Sequence, residues 1–333
     1  MFALSARMGV SPWYWWADVA PVRQKTISIK IEDYTSRSPS VKYRGIFLND
    51  EDWGLQPWAA KTFEPETGDI GPKTYAKIFE LLLRLKANTI WPAMHPSTKA
   101  FYTIPGNKEV AAEYQIFVGT SHAEPMLRNN VGEWDKKKFG DYDYSTNRNV
   151  VKNYWQERIE ELGPDDKYIV TLGMRGIHDS GMQGNYTKEE KVAMLETIIS
   201  DQRKMLENVL KKDVKSIPQA FVPYKEVLEI YSDGARIPAD VTLVWPDDNH
   251  GYIRQLSNAE ERKRSGGAGG ASGGKESGFI REGVQGHLCE GMCQGQAERG
   301  GEHSSAHEPE CMRPSCARQS HEHAFFGVAV SSR

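Results

Sequence analysis

The sequence predicts an α/β protein of the (β/α)8 type, a TIM-like barrel. Three observations carry that prediction. Short apolar strands alternate with helices, the order in which parallel strands are joined by right-handed crossovers. Polar and titratable residues gather just after each strand, at the end of the sheet where barrels build their sites. Neither GxGxxG nor GxxxxGK[ST] occurs, so a doubly wound nucleotide-binding sheet has no motif behind it.

Each element follows from a local pattern. Tyr43–Leu48 (YRGIFL) is a short apolar strand that stops in Asn49, Asp50, Glu51 and Asp52, with Trp53 and Trp58 beyond. Lys73–Lys86 repeats apolar residues at helical spacing. Thr89–Met94 is the second strand and brings Trp91 and His95. A short helix, Lys108–Ala112, leads to a third strand, Tyr114–Val118, followed by His122 and Glu124. Val150–Leu162 is a helix stopped by Gly163 and Pro164. The apolar run Tyr168–Leu172 is the fourth strand, with Arg175, His178 and Asp179 after it. A long amphipathic helix, Lys188–Leu210, precedes the fifth strand, Gln219–Val222; Tyr224 and Glu226 follow, in or beside a helix over Lys225–Tyr231. The sixth strand, Val241–Trp245, ends in Asp247, Asp248, Asn249 and His250.

Any one of these residues has an ordinary reading as a turn acid, a helix cap or a hydrogen-bonded structural histidine. Their repetition at six strand ends points to the mouth of a site. The residues there support two chemistries. One is carboxylate acid/base catalysis of the kind that hydrolyses glycosidic bonds. The other is a metal-assisted reaction with His, Asp and Glu as ligands, although no HxH or HExxH pair occurs before the tail. No GxSxG nucleophile occurs before the Gly-rich tail, and all four cysteines lie at or after Cys289.

Bulk properties exclude other classes. A net charge of −3 over 333 residues gives no basic surface for nucleic acid and no polybasic membrane anchor. No apolar stretch is long enough to span a bilayer. The N-terminal MFALSARMGVSPWYWW lacks the continuous apolar core of a signal peptide. Composition breaks near residue 264: all nine tryptophans lie at or before Trp245, and from Ser265 the chain turns Gly-rich without apolar periodicity. Disorder is the physical expectation for such a tail. Cys289, Cys293, Cys311 and Cys316, with His287, His303 and His307, match zinc spacings only loosely. A shift of reading frame accounts better for the abrupt change.

Six stretches carry a resemblance: GVSPWYWWADV (Gly9–Val19), YRGIFLNDEDWGLQPWAAKTFEPE (Tyr43–Glu66), NTIWPAMH (Asn88–His95), GTSHAEPM (Gly119–Met126), GMRGIHD (Gly173–Asp179) and VWPDDNHGYIRQLSNAEE (Val244–Glu261). Together they resemble glycoside hydrolase family 115, the xylan α-1,2-glucuronidases, from about Gly9 to about Gly267. The resemblance implies inverting removal of glucuronic acid, or its 4-O-methyl ether, from glucuronoxylan by a (β/α)8 domain inside a longer protein. It implies a polysaccharide partner, no cofactor or metal, and an extracellular setting. The family's functional carboxylates match Glu51, Asp179 and Glu226. Arg175 and Asn249 match further active-site positions, and His122 a pocket residue. Asp179 and Glu226 are the expected acid/base pair, with Glu51 in reserve for water activation. Arg175 is expected to meet the uronate carboxylate or to hold Asp179 ionised. Asp248 sits beside Asn249, and Trp53, Trp91 and Trp245 are candidates for stacking on sugar faces.

The chain also departs from that family. Residues 1–40 read as the remnant of a preceding domain or linker, 41–264 as a partial catalytic domain with about six βα units, and 265–333 as a low-complexity tail. Strands seven and eight are expected to be absent, which leaves open sheet edges and a polypeptide expected to fold or act poorly by itself. A non-catalytic carbohydrate-binding fragment is the competing reading.

Overall fold

The computed structural model describes residues 2–30, 35, 38–39, 41–49, 51–178, 180–182, 184–246, 253–270 and 327–331. All six predicted strands form: β1 (Val41–Phe47), β2 (Thr89–Trp91), β3 (Phe117–Val118), β4 (Val170–Leu172), β5 (Gln219–Phe221) and β6 (Thr242–Trp245). The predicted helices lie between them as α1 (Pro72–Arg84), α2 (Asn107–Glu113), α3 (Arg148–Glu160), α4 (Lys188–Leu210) and α5 (Glu226–Ser232). Two stretches of the tail are also extended, β7 (Ala268–Gly270) and β8 (Gly327–Ser331).

The strands form two four-stranded sheets, ordered β3-β2-β1-β8 and β4-β5-β6-β7. Every neighbouring pair is parallel except β1 and β8. A parallel bridge between Val118 and Tyr168 joins the two sheets at β3 and β4. Val118 N–H donates to the Lys167 carbonyl at 2.9 Å, and Ile169 N–H returns a bond to the Val118 carbonyl at 3.0 Å. The fold is therefore mixed α/β with two small parallel sheets, and no closed barrel is present among the described residues. The expectation of a wholly disordered tail is changed at two points. Two tail segments make backbone pairs: Gly327–Ser331 with β1, and Ala268–Gly270 with β6. A ladder needs only N–H and C=O groups, which a side-chain pattern does not reveal. The tail cysteines and histidines lie outside the described residues.

Strand residues alternate between two environments, as the pleat requires. Tyr43 and Phe47 of β1, Trp91 of β2, Ala220 of β5 and Val244 of β6 share one buried cluster, along with Ile169 beside β4. The other set faces the helices. Ile90 and Val118 pack with Tyr75, Ile78, Phe79 and Leu82 of α1. Val170, Leu172, Phe221 and Leu243 pack with Trp155 of α3 and Ile198 of α4.

The helices start where local chemistry allows. Thr187 and Glu190 close a capping box on α4. At α1, Pro72 follows Gly71, and the buried Glu64 carboxylate accepts from Lys73 N–H at 3.1 Å and Thr74 N–H at 3.0 Å. A carboxylate there satisfies orphan donors and meets the positive end of the helix dipole. A Cβ on Gly71 would fall 2.4 Å from Glu64 Oε1, so the close approach needs glycine. No helix among the described residues is long and apolar enough to cross a membrane.

Candidate active site

Loops after β1 to β5 supply the site, because parallel strands deliver their C-terminal ends to one side. Glu51 opens a one-turn helix, Glu51–Trp53, directly after β1. It is 2% exposed, while Trp53, two residues on, is 56% exposed. His95, beyond β2, holds Glu51 in place: its N–H donates to Glu51 Oε1 at 2.7 Å. The His95 ring lies 3.0 Å from Asn49 Oδ1 through Nε2 and 3.8 Å from Asp52 Oδ1 through Nδ1. Its other face meets the His178 ring edge-on, with centroids 5.8 Å apart. The first, second and fourth loops are thus tied together through one imidazole.

Burial pushes the Glu51 carboxyl above the ordinary glutamate range, against the opposing pull of the His95 N–H and the His95 charge. Glu124, in the third loop, is also buried; its pKa is pushed up to about 8, chiefly by desolvation. Ser121 donates to Glu124 Oε2 from its hydroxyl at 3.0 Å and from its N–H at 3.3 Å.

The second carboxylate is Glu226, the first residue of α5. Arg175, 1% exposed, meets it with both prongs of the guanidinium: Nε to Oε1 at 2.8 Å and Nη2 to Oε2 at 2.9 Å. Such a fork is made with an ionised carboxylate. Arg175 also lies 5.5 Å over the Tyr224 ring, which packs at 4.3 Å against His122. His122, Tyr224, Arg175 and Glu226 therefore form one continuous wall. His178 (φ 55°) and Lys225 (φ 50°) adopt positive φ immediately before Asp179 and Glu226. Such non-glycine strain concentrates at functional sites.

Several sequence expectations are changed. Glu226, a residue not paired with Arg175 in the sequence reading, is a partner of its guanidinium. Trp91 and Trp245 are buried, the first edge-on to Phe47 and the second donating to Ser257 Oγ at 2.7 Å, so neither presents a face to a sugar. Of the three candidate tryptophans only Trp53 is exposed. Asp179, Asp248 and Asn249 lie outside the described residues. Sequence reasoning missed Thr98, whose proximity to Glu51 is a tertiary fact; the HPST turn after β2 was the available signal. Among the described residues no group of three or more His, Cys, Asp and Glu side chains is placed to hold a metal ion.

Parallel strands, helices packed against them and buried carboxyls at the strand ends are the arrangement in which α/β enzymes of the barrel type build their sites. The family model described as glycosyl hydrolase family 115 matches residues 36–270, and the chain belongs to that family. A solved structure of a family GH115 4-O-methyl-α-glucuronidase with specificity for decorated arabinogalactans is 47% identical and superimposes with a TM-score of 0.76 over 89% of this chain. The chain spans 40% of the length of that relative. No curated protein matches it.

Proposed function

We propose that this chain carries a glucuronidase site that removes α-1,2-linked glucuronic acid, or its 4-O-methyl ether, from a decorated polysaccharide with inversion. The observation that carries the reading is the pair of unlike carboxyls. Glu51 sits in a dry pocket that favours its protonated form, which suits a general acid. Glu226 is held by the Arg175 fork as a carboxylate, which suits activation of water. Glu51 would give its proton to the glycosidic oxygen as the bond breaks. A water polarised by Glu226 would add to the anomeric carbon from the opposite face. Asp179, which follows β4 in the sequence, and Asp248 and Asn249, which follow β6, are further candidates by their place in the chain. Trp53 offers an exposed ring to the polysaccharide backbone.

The architecture we infer is a partial (β/α)8 wall over residues 41–264, supported by six parallel strands in chain order and the interior cluster they share. Glucuronoxylan is the substrate first expected. Decorated arabinogalactan is the second reading, because the relative of known structure acts on it.

The test is release of glucuronic acid from both polymers, with the first-formed anomer read by NMR. The β-anomer and a loss of at least about a thousandfold in Glu226→Gln are expected. Equal release by wild type and variant would sink the assignment. Oligosaccharide binding without release by the wild type would favour the non-catalytic binding reading.

A further inference from the structure

The turn after β2 presents more than one donor to Glu51. Thr98 N–H bonds to the His95 carbonyl at 3.0 Å, which closes residues 95–98 into a tight turn. From that turn, His95 N–H reaches Glu51 Oε1 at 2.7 Å. The Thr98 hydroxyl acts on the same carboxyl as a donor does, favouring its charged form. The geometry nevertheless stops short of a bond: Glu51 Oε2 and Thr98 Oγ1 are both sealed from solvent, and each is without a hydrogen-bond partner. Two buried polar atoms, one on this turn and one on the carboxyl it holds, each unsatisfied, are unusual in a folded protein and call for a reason.

We propose that Thr98 is a positioning residue of the active site, its hydroxyl closing onto Glu51 Oε2 when that carboxyl is ionised and standing open when it is protonated. The proposal rests on the reading of Glu51 as the proton donor. In the protonated state Oε2 carries the proton, and Thr98 has no carboxylate oxygen to donate to. When the glycosidic C–O bond breaks, the proton passes to the leaving oxygen and a buried carboxylate remains. His95 N–H then holds Oε1 and Thr98 O–H holds Oε2, until solvent returns the proton. Glu51 carries no arginine or lysine partner among the described residues, so these neutral donors are its main support. The titratable groups that face it are His95 from the second loop, Glu124 from the third and Tyr75 from α1, with Asp52 on its own turn.

Thr98→Val keeps the side-chain shape and removes the hydroxyl; Thr98→Ser keeps the hydroxyl. Two readouts separate the outcomes. In pH profiles of kcat/KM, Thr98→Val is expected to move the limb set by Glu51 up by about one pH unit and to lower kcat about tenfold with little change in KM. Thr98→Ser is expected to restore both. An acid moves the basic limb and a base the acidic limb, so the same curve reads the role of Glu51. The second readout is Tm against pH, which needs no turnover. The folded pKa of Glu51 lies above its unfolded value, so stability is lost as pH rises through that interval. In Thr98→Val the loss extends to higher pH. Should that variant fold poorly, Thr98→Ala is carried through the same two measurements. A uniform gain in Tm at every pH, with an unmoved limb, overturns the proposal and leaves Thr98 a simple buried orphan. A shifted Tm profile in a protein that releases no glucuronic acid supports the Thr98 contact and removes the hydrolase reading instead.

Discussion

Arg175 and Glu226 show how much one pair can decide. The guanidinium is almost fully buried, whereas the side chain of Glu226 is 28% exposed, so the arginine has the more to lose when the pair is broken. Removing the Glu226 charge takes both bonds of the fork from a buried cation, a costly change. Glu226→Gln is therefore expected to lower stability by about 2 kcal/mol in urea titration, in addition to its effect on turnover. Glu124 gives a prediction of opposite sign. Its folded pKa of about 8 lies above the ordinary glutamate value, so wild-type stability falls as pH rises from the unfolded value to about 8. Glu124→Gln keeps an acceptor for Ser121 and removes the charge. The variant is expected to be the more stable protein at pH 8 and to lose that advantage at pH 5, as read by thermal melts.

At the scale of elements, α1 and the loop after β4 carry the clearest constraints. Glu64 accepts from Lys73 N–H, Thr74 N–H and the Thr74 hydroxyl at the start of α1, all from one buried carboxylate. Glu64→Ala orphans these donors, and a loss of about 2 kcal/mol is expected in denaturant melts. In the β4 loop, Gly176 N–H bonds to the Ser180 carbonyl at 3.0 Å, and Ser180 N–H to the Ile177 carbonyl at 3.2 Å. A Cβ on Gly176 would lie 2.2 Å from Ser180 Oγ and 2.4 Å from the Gly181 carbonyl oxygen. The second contact is backbone, so the turn that brackets Asp179 has to shift. Gly176→Ala is expected to lower kcat/KM by roughly 10- to 100-fold with little change in Tm. A normal rate with a lowered Tm would assign the turn to folding alone.

The whole molecule is held by a core that crosses between sheets. Phe47 and Trp91 come from one sheet and Ala220 and Val244 from the other, yet they share one cluster. Phe79 lies in the cluster under α1 and Trp155 in the one under α3 and α4. If the shared cluster couples the halves, Phe79→Ala and Trp155→Ala each lower one common transition, by about 3–5 kcal/mol. Calorimetry that resolves two transitions, each sensitive to only one substitution, would separate the halves.

How much of this was legible in the sequence depends on distance along the chain. The six strands and the helices between them were readable because apolar spacing, Pro72 before α1 and the Thr187–Glu190 box act within a few residues. Glu51, Arg175 and Glu226 were readable as strand-end residues because chemistry placed just after a strand stays at that strand's end. The sequence alone also determined the family to which the chain belongs, through long local motifs. Only tertiary structure decided which carboxyl is dry and which is paired. Glu226 meets an arginine 51 residues away, and Glu51 a backbone N–H 44 residues away. It also buried Trp91 and Trp245 and left Trp53 in solvent. Desolvation and pairing depend on what other segments bring to the same volume, and no local period encodes that.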